Sequence, residues 1–206
     1  MKAPEQRIYL ASKSPRRREL LRQIGVEFSL LMLREQTPRG PEVTEEIRPG
    51  ESAVDYVQRV AREKAVCAEQ TMLRRNLPIR PILAADTSVA IDGHILGKPA
   101  DPSEAAAMLR LLSGRTHQVL TSICIRHHQQ NWQTTQVSDV AFAELSDAAI
   151  HAYCTSAEPY DKAGGYGIQG MAAIFIREIG GSYSGIMGLP LFEAAQLLRE
   201  AGVQVP

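Results

Sequence analysis

The stretch Ile8-Tyr9-Leu10-Ala11-Ser12-Lys13-Ser14-Pro15-Arg16-Arg17-Arg18-Glu19-Leu20-Leu21-Arg22-Gln23-Ile24-Gly25 decides the fold. Its first four residues are apolar and read as a strand, 8–11. Ser14 supplies an N-cap and Pro15 suits the first helical position, so a helix is predicted over 15–24. Gly25 follows as a natural C′ residue. The turn between the two elements places backbone N–H groups of a helix N-terminus beside two hydroxyls and the guanidiniums of Arg16 and Arg17. Such a turn attracts polyanions, because the helix dipole favours negative charge and arginine grips phosphate oxygens bidentately. An ordinary helix start uses the same cap and proline with no ligand, so the decision rests on the remainder of the chain.

Moving outward, 26–33 is apolar enough for a second strand, and 36–50, rich in proline, glycine and glutamate, reads as a mobile loop. Ala53, Val54, Tyr56, Val57, Val60, Ala61, Ala65 and Val66 recur at helical spacing, predicting a helix over 51–70. An apolar run over 81–91 is broken only at Asp86-Thr87-Ser88, Asp92-Gly93 is a turn signal, and 94–96 returns as a partner strand. Asp101-Pro102-Ser103-Glu104 opens a helix to Leu112. Two longer strands, 117–126 and 132–142, flank a hairpin connection at 127–131. Ser146 caps a helix to about Cys154; the glycine-rich stretch 163–170, a strand over 172–179 and a last helix over 191–201 complete the chain. Helices alternating with strands, with a hairpin in the middle, imply a mixed α/β (α+β) fold around a twisted mixed sheet flanked by helices. The expectation is a single domain over 1–206 with two lobes and a central cleft, the first strand–turn–helix on one wall and the glycine-rich stretch on the other.

Composition narrows the function. Lys+Arg and Asp+Glu both number 23 in 206 residues, so no global basic field exists to hold a nucleic-acid polymer. An anion site has to be local, which favours a small molecule. Cys67, Cys124 and Cys154 are odd in number and show no paired spacing, which excludes a zinc ribbon and argues against a disulfide framework. With no signal-peptide order and no run of membrane-spanning length, the expectation is a cytoplasmic protein without a membrane partner.

Asp86 is the most informative acid, since it interrupts an apolar strand and a desolvated carboxylate needs a cation, a metal or hydrogen-bond donors. Lys98, between Gly97 and Pro99, sits on a rigid corner where its ammonium could meet a phosphate or Asp86. Lys64 lies at the edge of the inner face marked by Ala61 and Ala65 and could reach a cleft. Glu35, at the close of the second apolar stretch, offers a second carboxylate, and Mg²⁺ typically takes one or two carboxylates plus substrate phosphates and water. In the stretch from Glu158 to Gly170, four glycines permit close backbone approach, Gln169 carries the donor and acceptor that suit the edge of a nucleobase, and the tyrosine rings offer stacking. Neither a G-x-G-x-x-G fingerprint after a strand nor a G-x-x-x-x-G-K-[ST] phosphate loop is present.

Taken together, the blocks Leu10 to Arg17, Arg62-Glu63-Lys64-Ala65, Ala85-Asp86-Thr87, Leu96-Gly97-Lys98-Pro99, Leu112-Ser113-Gly114, Asp161-Lys162-Ala163-Gly164 and Ile186 to Leu191 resemble, in order, the Maf family of nucleoside triphosphate pyrophosphatases, relatives of the inosine triphosphate pyrophosphatases. The resemblance implies hydrolysis between the α- and β-phosphates, giving a monophosphate and pyrophosphate, with a divalent cation, Mg²⁺ or Mn²⁺, as cofactor. It implies Asp86 as general base or metal ligand, Ser14, Arg17, Lys64 and Lys98 as phosphate contacts, and Glu35 as a second metal-ligating acid, although Arg34 replaces the acid often found before it. Arg16, Thr87 and Gln169 match the branch that hydrolyses dTTP and UTP. The competing class is a nucleotide-binding regulator of cell division or septum formation without turnover. The oligomeric state is not legible, and a homodimer is carried as an expectation.

Overall fold

The computed structural model describes residues 7–34 and 42–205. Among these residues seven strands form one mixed sheet: β1 (Ile8–Leu10), β2 (Phe28–Leu30), β3 (Ile82–Ile91), β4 (His94–Leu96), β5 (Thr116–His127), β6 (Gln130–Phe142) and β7 (Ile176–Gly180). Among the described residues six α-helices accompany them: α1 (Pro15–Gln23), α2 (Ala53–Arg74), α3 (Pro102–Leu112), α4 (Asp147–Cys154), α5 (Tyr183–Ile186) and α6 (Leu191–Glu200). The sheet order is β2-β1-β3-β5-β6-β7, with β1 parallel to β2 and β3, and the long strands β3, β5 and β6 antiparallel.

The helix starts are written locally. The hydroxyls of Ser14, Ser52 and Ser146 accept the backbone N–H groups of Arg17, Asp55 and Ala149, and the Asp101 carboxylate accepts that of Glu104. Gly25 leaves α1 at φ +69°, a conformation that suits glycine. The β5–β6 hairpin turns through His128 and Gln129, both at positive φ, which matches the twist of the flanking strands.

Side-chain alternation along β3 sorts its residues onto two faces. Ile82 and Ala84 pack with Ala61, Ala65 and Ala68 of α2, and Ala90 with Val57 and Val60 of the same helix. Leu83 and Ala85 pack on the opposite face with Leu20, Leu21, Leu197 and Leu198 of α1 and α6. One edge of β3 is shared by two short partners. β1 pairs with Ile82 and Leu83, and β4 with Val89, Ala90 and Ile91. Between them, Ala84 to Ser88 pair with β5 alone among the described residues. The break in the sheet edge therefore falls at Asp86 and Thr87.

Three expectations need correction. The second strand covers only Phe28–Leu30, because its partner β1 is three residues long. The strand expected from residue 172 begins at Ile176; a 3₁₀ turn, Met171–Phe175, precedes it, because the Glu158 carboxylate accepts the N–H groups of Met171 and Ala172 and takes them out of sheet pairing. The described part of the expected mobile loop, from Glu42 onward, is tethered: Arg74 pairs with Glu42, and the Tyr56 hydroxyl and an Arg59 N–H donate to the carbonyls of Glu45 and Glu46.

Candidate active site

A cavity of about 840 Å³ opens at the break in the β3 edge. One wall is the β1–α1 turn and the other is the glycine-rich segment after α4, so both halves of the sequence reading meet on one space. Ser14, Arg16, Arg17, Lys64, Asp86, Thr87, Lys98 and Gln169 all line it. Glu35 lies outside the described residues. Among the described residues, seven lysines and arginines and four acidic residues line the cavity. A chain of zero formal charge thus concentrates positive potential at one place, as a small anionic ligand requires.

Alternation on β3 sends neighbouring residues to different partners. Asp86 shares the α2 face of the strand, where the Lys64 ammonium donates to its Oδ1 at 2.8 Å. Asp86 is 7% exposed, and this ion pair supplies the compensation its burial demands. The same ammonium lies 2.6 Å from Glu45 Oε1. Burial pushes the Glu45 carboxyl upward, but Lys64, Lys98 and Arg17 outweigh it and hold the group below the usual carboxylate range.

Thr87 projects to the other face and joins a buried polar chain. The Arg17 guanidinium donates to Thr87 Oγ1 at 3.1 Å, to Ser12 Oγ at 3.2 Å and to the Gly188 carbonyl at 2.7 Å. Thr87 Oγ1 lies 2.9 Å from Thr121 Oγ1, which donates to the Gly185 carbonyl at 2.7 Å. Burial lowers the pKa of Arg17 and the Asp86 charge works against that loss. Gly188, at φ +110°, leaves room for its carbonyl to meet the guanidinium; a Cβ there would stand 3.4 Å from Arg17 Nε. Three of the five guanidinium N–H groups are thus committed to the protein. Arg17 ties the phosphate-type turn to β3 and to the segment after α5.

An ion pair, Arg16 to Asp161 at 3.7 Å, joins the two walls. Gly164 hands its N–H to the Gly97 carbonyl at 2.9 Å, which holds the Lys98 corner against the glycine-rich wall. Gln169 is exposed at the rim. Its loop is held by Glu158, which also accepts from the Tyr153 hydroxyl at 3.0 Å. The expected tyrosine stacking platform is corrected. Tyr166 is 6% exposed, its hydroxyl is 2.7 Å from His117 Nε2, and its ring meets Phe142 edge-on, while the Tyr160 hydroxyl is bound to the Cys154 carbonyl.

Glu45 is the acid that sequence reasoning missed. It stands in an irregular segment with no periodic signal, and its place depends on long-range contacts from Tyr56 and Arg59 of α2. Among the described residues no cluster of three or more histidine, cysteine, aspartate or glutamate side chains stands ready to hold a metal. Two carboxylates converging on one cation do fit Mg²⁺, which completes its shell with water and phosphate oxygens.

An α/β protein with a cationic cavity at a break in its central strand's pairing belongs to the class that holds small anionic ligands between a helix N-terminus and a facing loop. The particular assignment is narrower: residues 7–201 match the family described as Maf-like protein, and the chain belongs to the Maf family. The chain is 52% identical over 200 residues to the dTTP/UTP pyrophosphatase of Bordetella avium, covering 97% of this chain and 98% of that one. The dTTP/UTP pyrophosphatase of Aromatoleum aromaticum is 52% identical, with 98% of each chain covered, and that of Cupriavidus metallidurans is 54% identical, with 95% and 97% covered. Among solved structures, the Ham1 protein of Staphylococcus aureus aligns over 95% of this chain and 99% of its own at 14% identity, with a TM-score of 0.45, too slight a likeness to carry an argument. Among the described residues no helix is long and apolar enough to cross a membrane.

Proposed function

We propose that this chain hydrolyses UTP and dTTP, and related pyrimidine nucleoside triphosphates, to the monophosphate and pyrophosphate. The observation that carries the reading is the convergence of Asp86 and Glu45 on the Lys64 ammonium, on the floor of a cavity rich in cations. The names of the relatives support the same activity.

Asp86 and Glu45 are the residues that would hold a divalent cation. Mg²⁺ or Mn²⁺ supplies Lewis-acid polarisation of phosphoryl oxygens when bound. The protein's own groups do the rest. Asp86 orients a water molecule and takes its proton as the water oxygen bonds to the α-phosphorus. The bond from that phosphorus to the α,β-bridging oxygen breaks, and pyrophosphate leaves with the bonding electrons. Arg16, Lys64, Lys98 and the Ser14 end of α1 face the charge that develops on the phosphate oxygens, in a site where fixed donors act more strongly than water does. Arg17 holds the turn in register through Ser12, Thr87 and the Gly188 carbonyl. Gln169, with its amide NH2 as donor and its amide oxygen as acceptor at the rim, pairs with the N3–H and O4 edge shared by uracil and thymine.

Pyrophosphate release from a panel of nucleoside triphosphates, with and without Mg²⁺, tests the reading. The expected result is Mg²⁺-dependent release that favours UTP and dTTP. Asp86→Asn keeps the side-chain shape and should lower turnover by about 100-fold or more, the scale of a lost acid–base group. UTP binding without pyrophosphate release would instead support a nucleotide-sensing regulator, and near-native turnover in Asp86→Asn would remove that residue from the chemistry.

A further inference from the structure

Two carboxylates from distant segments share one ammonium at the cavity floor. Lys64 Nζ stands 2.6 Å from Glu45 Oε1 and 2.8 Å from Asp86 Oδ1. Glu45 comes from the segment clipped to α2, Asp86 from the section of β3 that pairs with β5 alone among the described residues, and Lys64 from α2 itself. The Lys64 and Asp86 side chains are 16% and 10% exposed, so water screens their pairing poorly. A surface lysine gains little from one carboxylate. Here the ammonium sits where two carboxylates meet, which is the place a divalent cation would take.

We propose that Lys64 is the resident counter-ion of the metal site: it holds Glu45 and Asp86 together in the substrate-free protein, competes with the divalent cation for them, and is released to the phosphate oxygens when that cation arrives. The inference rests on the two carboxylates being the metal ligands of the proposed reaction. Its logic is electrostatic. Two carboxylates and one ammonium leave a net charge of −1, whereas two carboxylates and a divalent cation are neutral. An ammonium within hydrogen-bond reach of the same oxygens would be repelled by the incoming cation, because like charges a few ångströms apart disfavour one another. Lys64 does not have to travel far, since it lines the same cavity as Arg16 and Lys98. The flexible four-carbon stem of lysine permits such a move, which the rigid fork of arginine would not. The reaction thereby gains a cation that reaches the phosphates only after the metal is loaded.

The proposal has a sign that a merely structural lysine would not produce. Lys64→Met should bind Mn²⁺ more tightly in the absence of nucleotide, by about fivefold or more, the lower range of couplings between competing ligands, and should turn over more slowly. A structural lysine would weaken both. The experiment is a titration of substrate-free protein with Mn²⁺ alone, followed by electron paramagnetic resonance of the free ion, on the native protein, Lys64→Met, Lys64→Gln and Glu45→Gln. Glu45→Gln removes a ligand and should bind Mn²⁺ more weakly than the native protein. Lys64→Gln keeps a polar group of similar reach and should follow Lys64→Met, so the test survives if the methionine variant does not fold. Native or weakened Mn²⁺ affinity in the folded Lys64 variants would overturn the proposal, as would an unchanged affinity in Glu45→Gln. Because the titration needs no turnover, its failure is distinct from a failure to release pyrophosphate from UTP.

Discussion

Gly164 and Gly93 have almost the same backbone and opposite surroundings. Both are left-handed, at φ +69° and +78°. A Cβ on Gly93 meets nothing within 4 Å, but one on Gly164 would stand 2.8 Å from Val89 Cγ2. Val89 belongs to the buried end of β3, so the contact cannot relax without moving the central strand. Alanine at either position carries the left-handed penalty of about 1–2 kcal/mol. Gly164→Ala adds an overpacking cost of about 1–3 kcal/mol. Urea unfolding should therefore show Gly164→Ala less stable than Gly93→Ala by roughly that increment. Equal losses would mean that the glycine-rich wall does not press on β3. The glycines of this wall were legible in the sequence as a site of close approach, but what they approach was not. Gly170 faces the Glu158 carboxylate, with which a Cβ would collide, and eleven residues of intervening chain hide that relation from any local pattern.

At the scale of elements, β5 carries a buried histidine that β6 and the glycine-rich wall enclose. His117 is 2% exposed, lies edge-on to Phe142 and Tyr166, and keeps Nδ1 without a hydrogen-bond partner. Burial pushes its pKa down to about 4. An unfolded chain takes up a proton on this residue near pH 6.5, while the folded protein refuses it until about pH 4. Stability from this group is therefore complete above pH 6.5 and is lost as the pH falls towards 4, by an amount on the order of 3 kcal/mol. Denaturant unfolding at steps from pH 7 to pH 4 should show the native protein losing stability faster than His117→Gln, and parallel curves would show that the ring titrates normally. Element boundaries divide in the same way between local and distant causes. Ser14, Asp101 and Ser146 were readable as helix starts because a cap acts within three residues. The extents of β2 and β7 were not, since a short partner limits one and the Glu158 side chain diverts the chain ahead of the other. Asp86 could be picked out because a carboxylate breaks an apolar run; Glu45 could not, because contacts from α2 place it.

For the whole molecule, the cavity joins walls that come from opposite ends of the chain, and in the described structure they meet through Arg16 and Asp161. A nucleoside triphosphate bridging them would present its phosphates to the β1–α1 turn and its base to the loop around Gln169. Binding of this kind should be felt on both sides at once. With a non-hydrolysable α,β-imido analogue of UTP and Mg²⁺ at about 100 times its Kd, mass action stabilises the folded state by about 2.7 kcal/mol. In a chain of this size each kcal/mol moves Tm by about 2–4 °C, so the midpoint should rise by roughly 5–10 °C. Hydrogen exchange under the same conditions should slow in the turn after β1, in the tethered segment that carries Glu45, and in the glycine-rich wall. The three segments lie far apart in sequence, and residues of all three line the cavity. Protection confined to the β1–α1 turn would describe a phosphate site without base recognition, and the case for pyrimidine selection through Gln169 would fail. Protection of all three together would require one ligand that reaches from the helix N-terminus to the rim, as the Arg16–Asp161 contact between the walls leads one to expect.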